Sequence, residues 1–130
     1  MQKFIITDLE TLLKAADIMH DTGFTKDDIN YNAASKVFRI SAKQYGYKGK
    51  FIQRQTDEVV GTCEMILDDV RNCIIIEKDK KGLDTLGEDY FNFVDSKTDS
   101  SFTIRTTFRE IVVEVDRLKG TFEYEASTVK

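Results

Sequence analysis

Apolar residues near the start of the chain recur at Leu9, Leu12, Leu13, Ala16 and Met19. Spacings of three and four put them on one face of a helix. Thr7 followed by Glu10 reads as a capping box, the threonine oxygen accepting from the third helical N–H while the glutamate reaches back. The pattern predicts one amphipathic helix from about residue 8 to residue 20 or 21, with Gly23 as a C-terminal stop.

From Ile29 onward the period changes to two. Phe38, Ile40 and Ala42 alternate with Arg39, Ser41 and Lys43, and Ile111, Val113 and Val115 alternate with Val112, Glu114 and Asp116. Strands are expected over 29–31 and 37–43, forming a hairpin, and over 49–55, 59–70, 72–78, 89–94, 101–108, 110–118 and 121–125. Residues 68–72 read either as a turn or as a kinked continuation, and 79–87 as a charged loop with room for a helical turn at 84–86. Short turns require antiparallel neighbours, because parallel strands need long crossovers. Val112 beside Val113 predicts partial burial of both faces of its strand. The expected fold class is therefore α+β. One N-terminal amphipathic helix packs on a curled, mainly antiparallel sheet or small sandwich of about seven to eight strands. A single domain spans residues 1–125, followed by a tail at 126–130.

Composition narrows the function classes more than it names one. The 130 residues are 41% apolar and 32% charged, an ordinary globular balance for one domain. No apolar run approaches the ~20 residues needed to cross a bilayer, and the start turns acidic at Asp8 before a signal-peptide core forms, so a cytoplasmic chain without membrane contact is expected. Cys63 and Cys73 each sit in an apolar strand-like run, the usual setting of a buried, reduced thiol. With one histidine and two cysteines the chain has too few soft ligands for a typical four-ligand zinc site of its own.

Chemistry-bearing motifs reduce to structural roles. His20-Asp21 lacks the further histidines of a metal-dependent phosphohydrolase and reads as a helix end. Adjacent carboxylates at Asp27-Asp28, Asp68-Asp69 and Glu88-Asp89 point to opposite sides of a strand, which leaves them turn and edge roles. Gly46, Gly49 and Gly61 form no phosphate-binding loop. No catalytic residue, cofactor or metal ligand is assigned.

Charge is segregated. Between Ile29 and Thr56 there is no acidic residue, and Lys36, Arg39, Lys43, Lys48, Lys50 and Arg54 give +6 against −10 for the remainder. Tyr31, Phe38, Tyr45, Tyr47 and Phe51 lie among these cations, the mixture that a single-stranded nucleic acid or an acidic protein surface uses. The candidate binding surface is Lys36, Arg39, Lys43, Tyr45, Tyr47, Lys48, Lys50 and Arg54. The competing reading is a sheet edge protected by lysines.

The strings Ile18-Met19-His20-Asp21, Ile29-Asn30-Tyr31 and Met65-Ile66-Leu67-Asp68-Asp69-Val70, followed by a C-terminal strand pair, resemble small uncharacterised bacterial α+β families. Some relatives of these families are immunity proteins that neutralise polymorphic toxins. The resemblance implies a fold and a binding role, and no reaction. The expectation is a non-enzymatic protein-binding module with an unidentified protein partner. The alternative is a nucleic-acid or polyanion binder acting through segment 36–54.

Overall fold

The computed structural model describes residues 2–48, 54–96 and 98–126. In chain order the elements are β1 (Gln2–Ile6), α1 (Leu9–Met19), β2 (Gly23–Phe24), a 3-10 turn (Lys26–Asp28), β3 (Ile29–Asn32), β4 (Val37–Lys48) and β5 (Arg54–Glu77). Then follow α2 (Lys80–Leu86), β6 (Asp89–Ser96), β7 (Ser101–Thr106) and β8 (Arg109–Ala126). Among the described residues no helix is long and apolar enough to cross a membrane.

The architecture corrects the expected α+β sheet or sandwich. Strands β8, β5, β4, β2, β6 and β7 pair in that order, and β7 returns to β8, closing a six-stranded antiparallel barrel. β1 is added on β8 and β3 on β4, and strands account for 65% of the structure. The helix is thus a supplement to a β fold, and no open sheet lies beneath it.

Closure depends on two long strands. The expected strands over 59–70 and 72–78 are one element, β5, with register shifts against β8 at Asp68/Val70 and Val70/Asn72 and a left-handed Asp69 at φ 53°. A bulge adds bend and twist without reversing the chain, so the kinked continuation is the form adopted. The expected strands over 110–118 and 121–125 likewise merge into β8. Near its middle, Gly120 lies so close to β5 that a Cβ would stand 2.1 Å from the Ile66 carbonyl oxygen. Each long strand then serves two sets of neighbours. β8 pairs β7 through Glu110–Glu114 and β1 through Gly120–Tyr124. β5 pairs β8 along most of its length but pairs β4 only as far as Leu67. The strand expected over 49–55 lies mostly outside the described residues, its last two positions opening β5, and residues 127–130 of the expected tail lie outside them too.

The hairpin of β3 and β4 follows the expected alternation, with Phe38, Ile40 and Ala42 buried and Arg39 and Lys43 exposed. α1 contacts β1 on one side and β6 on the other. Its cap is one residue later than expected: the Asp8 carboxylate accepts from the Thr11 N–H at 2.9 Å, and the Thr11 hydroxyl oxygen accepts from the Asp8 N–H. Aspartate is the stronger N-cap, and this bond holds its carboxyl below the usual range. The buried stripe is Leu12, Ala15, Ala16 and Met19, while Leu13 is 38% exposed. Gly23 is no helix stop; the chain turns at His20 and Asp21, the latter at φ 65°, and enters β2. Phe24, Phe38, Phe91 and Phe122 are the largest fully buried side chains of the core.

Candidate functional site

The basic segment is spread along one barrel strand and its flanks. Lys36 lies in the β3–β4 turn with its Nζ 3.3 Å from Asp116 Oδ2, and Arg39 Nε stands 3.9 Å from Glu64 Oε2. Lys43 is exposed opposite Thr62. Tyr45 donates to Glu88 at 2.7 Å, and burial followed by that carboxylate pushes its phenol above the ordinary range. The side chains of Tyr47, Lys48 and Arg54, and all of Lys50, lie outside the described residues. The backbone nevertheless sets Lys36 and Lys48 at opposite ends of β4, about 35–40 Å apart on extended geometry. The neighbouring strands place Glu64 and Glu123 on the same wall, Glu64 beside Ser41 and Glu123 beside Lys3. The structure thus joins Arg39 and Lys36 to carboxylates and does not gather the segment's two ends.

A polar lock that the sequence did not reveal sits where β6, β7 and β8 meet. Asp89 is fully buried and pairs with Arg109 Nη1 at 3.0 Å; Arg109 itself is 5% exposed. The same carboxylate accepts from Thr106 Oγ1 at 2.7 Å and from the N–H groups of Tyr90 and Phe108. The expected turn role for Asp89 is therefore corrected: the carboxylate is an internal tie between strands. Asp89 and Arg109 line a cleft of about 360 Å³ whose walls include Lys26, Glu77, Lys80 and Glu88. With both carboxylate oxygens engaged, Asp89 is fixed in place and holds no free lone pair aimed at a ligand.

The remaining candidates have local partners. His20 lies 2.6 Å from the Asn92 carbonyl through Nδ1 and 3.4 Å from Asp21 through Nε2, in the helix-end role expected of it. Cys63 is buried and Cys73 half-buried, both are free thiols, and desolvation pushes each up to about 11. Among the described residues no group of three or more His, Cys, Asp or Glu is arranged to hold a metal.

The most unusual surface is on β5. Past Leu67 the strand leaves β4 behind, and over 72–77 it pairs only with β8 among the described residues. Ile74, Ile75 and Ile76 are 48%, 44% and 44% exposed there. The sequence carried a signal for this. Consecutive strand residues face opposite sides, so three adjacent isoleucines cannot all enter one core. Comparison with protein-family models, curated proteins and solved structures found no match to the chain.

Proposed function

We propose that the chain is a non-enzymatic protein-binding module that takes an extended segment of a protein partner as an added strand along the open edge of β5. The observation that carries this reading is the coincidence of a strand edge over 72–77 that has no partner among the described residues with three exposed isoleucines. In strand addition the main chain supplies hydrogen bonds and alternate side chains supply apolar anchors. Ile74 and Ile76 serve one face of the added strand and Ile75 the other. Proteins ordinarily blunt such an edge with charge, proline or a bulge. Between Cys73 and Ile76 there is no charge and no proline.

The polyanion reading draws less support, because Lys36 and Arg39 already face carboxylates. The two readings separate in one comparison. The chain, Ile75→Lys and Lys43→Glu are immobilised and the proteins recovered from source cells are identified, while binding to mixed-sequence single-stranded DNA and RNA is measured at two salt concentrations. A protein retained by the parent and by Lys43→Glu but lost by Ile75→Lys supports strand addition. Salt-steep nucleic-acid binding that is lost with Lys43→Glu would transfer the function to the basic segment.

A further inference from the structure

We infer that the strand added to β5 is β5 of a second copy of this chain, paired antiparallel about a two-fold axis through Ile75. The inference rests on the strand-addition reading and names its partner. Lys78 N–H donates to the Phe108 carbonyl at 2.8 Å, and Ile76 stands opposite Glu110 in the same register. Hydrogen-bonding direction alternates along an antiparallel strand, so Ile74 and Ile76 bond toward β8 while the N–H and C=O groups of Cys73, Ile75 and Glu77 point to the open edge.

Two such edges match best in one register. Centred on Ile75, the pairing sets Ile75 on Ile75, Ile74 on Ile76 and Cys73 on Glu77, so every isoleucine meets an isoleucine. Arg71 of each copy comes level with Asp79 of the other, but Arg71 is already held by Glu114 and Asp116 and the Asp79 carboxylate by the Gly82 N–H, so the isoleucine match and not this pair sets the register. Centring on Ile74 sets Ile76 against Asn72, and centring on Ile76 sets Ile74 against Lys78 and Ile75 against Glu77. The pairing is isologous and uses up the edge on both copies, so it closes at a dimer and builds no fibre. An edge this short lies at the small end of specific interfaces, which makes the dimer reversible with concentration.

The test is the mass of the full chain by sedimentation across a dilution series, with a cross-link to read the register. The parent is expected to pass from monomer to twice that mass as concentration rises. Ile75→Lys places two ammonium groups on the axis and is expected to stay monomeric, with a melting curve close to the parent's when both are dilute monomers, since Ile75 is 44% exposed. In a Cys73→Ala background, a mixture of Ile74→Cys and Ile76→Cys chains should form a disulfide-linked pair. Residues directly opposite at a non-hydrogen-bonded site have Cα atoms about 4.5 Å apart, within disulfide reach. Either variant alone should link far more slowly. A parent that is monomeric throughout, a dimer indifferent to Ile75→Lys, or Ile74→Cys linking to itself as fast as the mixture would each overturn the inference. A monomeric parent that still loses a captured protein on Ile75→Lys removes only the second copy as occupant and leaves strand addition standing.

Discussion

Asp89 shows what residue types reveal and what they withhold. Beside Glu88 it reads as half of a solvated pair, yet it is fully buried, and its guanidinium partner is twenty residues away on β8. Nothing local marks Arg109 as that partner, because only barrel closure brings the two strands together. Of the two thiols expected to be buried, Cys63 is, while Cys73 is half-buried, because the apolar run beside it lies on the exposed part of β5. Removing one member of a buried ion pair leaves the other charge desolvated and uncompensated, a loss of about 3–5 kcal/mol. Asp89→Asn keeps the side-chain shape and strands Arg109, so equilibrium urea unfolding should show a loss in that range. A loss below about 0.5 kcal/mol would mean that water reaches the pair and that it does not tie the strands.

At the scale of elements, α1 was legible from apolar spacing, and its buried face to within about half a residue. The expected stripe of Leu9, Leu12, Leu13, Ala16 and Met19 and the buried one of Leu12, Ala15, Ala16 and Met19 share three positions and differ by about half a residue round the helix. Side-chain size favours the first. The contacts with β1 and β6 select the second, burying two alanines where the helix meets its neighbours and leaving Leu13 toward solvent. Leu12→Ala should therefore cost about 2–5 kcal/mol in chemical denaturation, while Leu13→Ala should cost clearly less. Equal losses would restore the stripe containing Leu13. The β3–β4 hairpin was legible in full because alternation and turn coincide within a dozen residues. The bend in β5 was harder, since Asp68-Asp69 and Arg71-Asn72 carry turn chemistry that a bulge also accepts.

Closure belongs to the whole molecule. The pairing of β1 with the end of β8 and the return of β7 to β8 join segments by register, and register between distant strands leaves no trace in composition or period. The same staggered closure that ends the β4–β5 pairing at Leu67 leaves the β5 edge without a partner among the described residues, so the barrel and the proposed binding edge have one origin. Native-state hydrogen exchange resolved by residue reads that edge in solution. In dilute protein the Ile74 and Ile76 amides, bonded to β8, should exchange slowly and those of Cys73, Ile75 and Glu77 rapidly. As concentration rises into the dimer range, the rapid set should become protected while Ile74 and Ile76 change little. Slow exchange at all five positions in dilute monomer would show the edge covered by its own chain, and would contradict both strand addition and self-pairing.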